Sequence, residues 1–196
     1  MLVKIKRLLN RLQSINNNMH NIILYKIKNV SFETKPQVNG KLFIYRNGEI
    51  NLGKEVKINS AAKHNPIGGD LRMVFSVDKG AKLTIGNNTG LSNSTIVCKN
   101  KVTIGNYVKI GGSVKIYDTD FHALNYEARS NPKTDIGITK PVEIKDHAFI
   151  GAHSIILKGV TIGERSIIGA GSVVTKSVPN NQIWAGNPAK FIKEIS

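Results

Sequence analysis

Between Val142 and Val178 one period governs the apolar positions. Ile144, Ile150, Ile156, Ile162, Ile168 and Val174 stand six residues apart, and all are β-branched. Two residues before each lies a small or aliphatic side chain: Val142, Ala148, Ser154, Val160, Ser166 and Ser172. A helix repeats every ~3.6 residues and a strand every two. A fixed period of six fits neither and is the signature of a parallel β-helix. Three hexapeptides complete one triangular coil, so residues eighteen apart should stack. The predicted inner stacks are Ile144 on Ile162, Ile150 on Ile168, and Ile156 on Val174.

Elsewhere the pattern changes. Residues 2–28 read as helix: Leu2, Ile5, Leu8, Leu9, Leu12, Ile15, Met19, Ile22 and Ile23 follow three- and four-residue spacing. Ser14 and Asn16-Asn17-Asn18 weaken its middle, so two short helices fit as well as one. From Lys41 the apolar positions alternate, with Asn47-Gly48 as a turn. Residues 63–73, with Pro66 and Gly68-Gly69, break the phase and should bulge outward. Ile85, Leu91 and Val97 are again six apart, and after a one-residue slip so are Ile104, Ile110 and Ile116. Residues 117–141 lack the pattern, and a loop of that length in a regular solenoid is usually functional or disordered. The run from Pro188 to Ile195 suits a short closing helix. The expected organisation is an amphipathic helical segment over 1–38, an all-β domain over 39–180 with its insertion at 117–141, and a tail or cap over 181–196.

The length suits one such core. The single cysteine, Cys98, excludes an internal disulfide, which makes a reducing cytoplasm the expected compartment. The formal charge of +15 points to an anionic partner. The basic residues are spread without interleaved aromatics, which argues against nucleic acid. The start MLVKIKRLLNRLQ mixes basic with apolar residues and reads poorly as a signal peptide. Its apolar stripe needs cover, either from the protein itself, as a cap on the body or against a neighbouring subunit, or from anionic lipid at the inner membrane face.

Of the five histidines, His122 alone lies at the mouth of the long loop, in Tyr117-Asp118-Thr119-Asp120-Phe121-His122. Asp118 and Asp120 are candidate acids to orient it, with a backbone carbonyl as the alternative. His147 and His153 occupy equivalent corners on successive faces, a poor arrangement for a shared metal, and no metal site is expected. Gly151 stacks on Gly169 and Ala152 on Ala170, which suggests a shallow track along which an extended ligand arm reaches the backbone; small residues also simply suit tight corners.

The run from Ile150-Gly151 to Gly171-Ser172-Val173-Val174-Thr175-Lys176, followed by Pro179 and Ala185-Gly186-Asn187-Pro188-Ala189-Lys190, resembles the hexapeptide-repeat acetyltransferases. The likeness is to sugar O-acetyltransferases of the galactoside and maltose type and to those that modify capsule, lipopolysaccharide or exopolysaccharide. It extends over residues 83–193. It implies a left-handed β-helix, a homotrimer with active sites between subunits, and acetyl-CoA as donor. It implies that His122 is the general base in direct transfer to a saccharide hydroxyl. It implies acceptor contacts from Asn93, although a turn asparagine reads similarly, with Tyr126 and Arg129 as loop candidates. For the donor it implies Phe149, Gly151, Ala152, Gly169, Ala170, Thr175, Lys176, Lys190 and Lys193. Phe149 stands where tryptophan is common, and Lys193 where arginine occurs. Alternatives on the same fold are an N-acetyltransferase on an amino sugar or antibiotic, a serine acetyltransferase-like enzyme, and a non-catalytic scaffold.

Overall fold

A computed structural model describes residues 2–69 and 71–195. Helix α1 (Leu2–Ile27) is one unbroken helix. Six coils of three strands follow. The first is β1 (Val30–Phe32), β2 (Gln37–Gly40) and β3 (Phe43–Tyr45). The second is β4 (Glu49–Leu52), β5 (Lys57–Ser60) and β6 (Val74–Val77). The third is β7 (Lys82–Ile85), β8 (Gly90–Ser92) and β9 (Thr95–Cys98). The fourth is β10 (Lys101–Ile104), β11 (Lys109–Ile110) and β12 (Lys115–Tyr117). After the long loop with its short helix α2 (Tyr126–Arg129) comes the fifth, β13 (Val142–Ile144), β14 (Phe149–Ile150) and β15 (Ile155–Ile156). The sixth is β16 (Thr161–Ile162), β17 (Ile167–Ile168) and β18 (Val173–Val174), and β19 (Gln182–Gly186) and β20 (Ala189–Glu194) end the chain.

The strands stack into three sheets. The first runs β1-β4-β7-β10-β13-β16, the second β2-β5-β8-β11-β14-β17-β19-β20, and the third β3-β6-β9-β12-β15-β18. Every pairing is parallel except β19 with β20, giving a left-handed parallel β-helix. The expected stacks are present: Ile144 pairs with Ile162, Ile150 with Ile168, and Ile156 with Val174. These side chains are fully buried, and each such burial is worth about 1.5–3 kcal/mol. The small residues two positions earlier serve the corners. The hydroxyls of Ser154 and Ser172 donate to the Gly169 carbonyl, and that of Ser166 donates to Pro179. Another corner carries a side-chain ladder in which Asn87 Oδ1 accepts from Lys54 N–H, Asn106 Oδ1 from Asn87 N–H, and Asp146 Oδ1 from Asn106 N–H.

Several boundaries differ from the sequence reading. The β-helix begins at Val30 rather than near residue 39, because β1 and β2 pair with β4 and β5. Ile96, not Val97, lies in the core, since the corner at Asn93 is one residue shorter than the others; Val97 faces outward beside Tyr117. Residues 63–69 fold back over that corner instead of bulging away: the Gly68 carbonyl accepts from Ser113 Oγ, and the Asn65 carbonyl accepts from Asn93 Nδ2. The tail closes with strand β20 where a helix was expected. Asn21 of α1 caps the first coil, donating from Nδ2 to the Gly40 carbonyl and accepting Leu42 N–H at Oδ1, 3.0 Å in both cases. No helix among the described residues is long and apolar enough to cross a membrane.

Candidate active site

The insertion leaves the corner between the third and first sheets and is closed at its base. Asp120 N–H donates to the Ile138 carbonyl, Lys140 N–H donates to the Asp118 carbonyl, and Thr119 bridges Thr139. Within it, Asn125 Oδ1 caps α2 by accepting Ala128 N–H at 2.9 Å. These ties hold His122 at the mouth of the loop with its imidazole largely exposed.

The acid beside His122 is Asp135. Its Oδ2 lies 2.6 Å from His122 Nδ1, and its Oδ1 accepts Ala123 N–H at 2.8 Å. The imidazole hydrogen bond and the Ala123 amide hold the Asp135 carboxyl below the usual carboxylate range. An ionised carboxylate only accepts, so the hydrogen belongs on Nδ1 and the Nε2 lone pair is free to take a proton. Both acids named from the sequence are occupied elsewhere. Asp118 is fully buried and accepts the backbone N–H groups of Lys99, Asn100 and Lys101. Asp120 pairs with Lys158 at 2.9 Å. Asp118 falls in phase two residues after the buried Ile116, which points it into the corner; Asp135 lies in the patternless stretch and carries no such signal.

The acceptor candidates are scattered. Asn93 is fully buried beneath residues 65–68, with Nδ2 on the Asn65 carbonyl and Oδ1 buried without a hydrogen-bond partner. Arg129 is held inside the loop, donating from one guanidinium nitrogen to the carbonyls of Ala123 (2.9 Å) and Leu124 (3.2 Å). Tyr126 is exposed, and its hydroxyl lies 3.2 Å from Glu127 Oε1.

The donor candidates divide between two corners. Gly151, Ala152, Gly169 and Ala170 lie where the second sheet turns into the third. The close approach at Gly151 is to the next coil: a Cβ there would sit 2.5 Å from Ala170 N. Its glycine follows from coil stacking, which leaves Ala152 and Ala170 as the outward-facing pair. Lys190 pairs with Ala185 beside Gly169, and Lys193 pairs with Ile183 on the second sheet. Phe149 lies on that sheet between Lys109 and Ile167, at the edge of a groove of about 270 Å³ also lined by Lys57, Asn59 and Ser92. Thr175 and Lys176 are exposed at the opposite corner, on the edge that carries the His122 loop. A single chain therefore holds the imidazole and the alanine corner on opposite edges of its third sheet.

Cys98 is buried, with its thiol pushed up to about 12 by desolvation and by the Asp118 carboxylate. His147 stacks on Tyr107 at 4.9 Å, and His20 bonds the Leu42 carbonyl.

Residues 141–176 match the bacterial transferase hexapeptide family (six repeats). A Schizosaccharomyces pombe protein that carries the name of an acetyltransferase is 45% identical over 115 residues, 59% of this chain and 44% of its own length. Among solved structures, a hexapeptide-repeat acetyltransferase of Vibrio cholerae complexed with acetyl coenzyme A is 35% identical, with a TM-score of 0.54 over 58% of this chain and 61% of that one. A galactoside acetyltransferase in complex with coenzyme A is 29% identical, with a TM-score of 0.57 over 85% of this chain and 66% of that one. The chain spans less than half the length of the S. pombe relative. Repeat, coil geometry and relatives agree on a hexapeptide-repeat left-handed β-helix that is similar to these acetyltransferases.

Proposed function

We propose that the chain is an acetyl-CoA-dependent O-acetyltransferase acting on a saccharide hydroxyl, as a homotrimer with His122 as general base. The observation that carries this reading is the His122–Asp135 pair, which presents a proton-accepting nitrogen on an exposed loop. In the transfer, Nε2 takes the acceptor hydroxyl's proton as its oxygen attacks the thioester carbonyl carbon. The C–S bond then breaks, and the departing thiolate takes the proton back from the imidazolium. Asp135 stabilises the imidazolium between the two steps. Such a base contributes about 10²–10⁴ in rate. The separation of the imidazole from the alanine corner within one chain supports a site shared between copies, with Ala152, Ala170 and Lys190 of one copy facing His122 of another. Lysines at positions 176, 190 and 193 suit the phosphates of coenzyme A as point charges. The acetyl coenzyme A of the Vibrio structure and the coenzyme A of the galactoside acetyltransferase structure support acetyl-CoA as donor.

The test is thiol release from acetyl-CoA with a panel of capsule, lipopolysaccharide and exopolysaccharide precursors, with product masses before and after mild alkali. The expected product gains one acetyl group and loses it in alkali, as an ester does. An alkali-stable product would assign an amine acceptor. No acceptor-dependent thiol release across the panel would remove the saccharide reading.

A further inference from the structure

Helix α1 docks by a mixed face, on which Tyr25 joins the hydrophobic core and Leu24 packs against it. Asn17, His20, Asn21, Leu24 and Tyr25 face the first coil and are at least half-buried, while the apolar stripe turns away from the body. Leu2, Ile5, Leu9, Leu12, Met19 and Ile23 are all exposed, Leu9 at 60% and Ile23 at 54%. Lys4, Lys6, Arg7 and Arg11 accompany this stripe, and α1 contains no acid; the first acidic residue of the chain is Glu33.

We propose that α1 lies on an anionic phospholipid surface, with the stripe in the acyl boundary and the four cations among the headgroups. Charge decides the occupant. A bundle of α1 helices from neighbouring copies would cover the same stripe, but it would crowd these cations with no acid on the helix to offset them. An anionic membrane covers the stripe and neutralises them together. The body is attached from Asn17 onward, with Lys35 Nζ donating to Asn18 Oδ1 at 3.0 Å, and residues 2–16 are exposed and free to lie along a surface.

The full chain is mixed with vesicles of phosphatidylcholine and phosphatidylglycerol and sedimented. It should pellet with them at 0.1 M salt, stay in solution with pure phosphatidylcholine, and be released at 1 M salt, where the Debye length falls from about 10 Å to about 3 Å. Replacing Lys4, Lys6, Arg7 and Arg11 together by Gln should weaken partitioning on the order of 10²–10³-fold, about fivefold for each charge. Leu9→Glu with Leu12→Glu should abolish pelleting while circular dichroism stays that of the parent, because both side chains are exposed. Absence of the parent chain from the anionic pellet overturns the proposal. So does undiminished pelleting of the leucine variant, or a fall in its oligomer mass by sedimentation velocity, which would assign the stripe to a second copy.

Discussion

His122 Nδ1 lies 2.6 Å from Asp135 Oδ2, across thirteen residues of loop. Two variants separate the roles this pair implies. His122→Ala should lower the turnover of acceptor-dependent thiol release by about 10²–10⁴. Asp135→Asn should lower it less, with the KM for acetyl-CoA near that of the parent, because the base remains but its imidazolium loses a charged partner. Steady-state thiol release measures both. Parental turnover in His122→Ala would end the base assignment.

The same contact and the Asp146 ladder set an acid limit on stability. Hydrogen bonds to His122 and Ala123 lower the Asp135 carboxyl, and hydrogen bonds from Asn106 lower that of Asp146. A carboxyl lowered by folding stabilises the native state above its ordinary pKa of about 4, and that contribution is lost as the pH falls through the lowered value. Melting temperature should therefore drop below about pH 4. Asp146→Asn should flatten the part of that slope due to the ladder. Melting curves of both proteins across the acid range check this, and parallel slopes would contradict it.

Ile150 is fully buried between Ile110 and Ile168 in the second sheet. Ile150→Ala should cost about 2–5 kcal/mol in urea unfolding. Ile136→Ala, in the exposed part of the loop, should stay within about 0.5 kcal/mol. Equal losses would mean that the stack is not where the stability resides.

Gly151→Ala would place a methyl 2.5 Å from the backbone nitrogen of Ala170. Neither coil can yield locally, so the expected cost is about 1–3 kcal/mol. Gly171 presents the opposite case: its Cβ position is open, but its φ is +71°, so Gly171→Asn should be milder than Gly171→Val. Chemical denaturation of the three variants tests the order.

The inner stacks were legible because each depends only on a period of six. The period of six selects Val97 where Ile96 fills the core, because corner length, unlike the core positions, carries no repeat. The role of Asp118 was hidden because its partners are three backbone N–H groups, which no side-chain pattern reports. Asp135 lies thirteen residues from its imidazole, in a segment without period, so only the closed base of the loop brings them together. The orientation of α1 was also hidden: an apolar stripe suggests the packing face, whereas Asn21 satisfies both a carbonyl and an amide of the first coil and fixes the helix the other way round.

Val102 pairs directly with Val142 although the whole insertion separates them along the chain. The coil below and the coil above meet as though nothing intervened. A corner of this solenoid is therefore a port at which sequence can be added, lengthened or exchanged without disturbing the stack. The insertion carries the His122–Asp135 pair, so the detour around that pair can be rewritten while the columns of isoleucine stay the same.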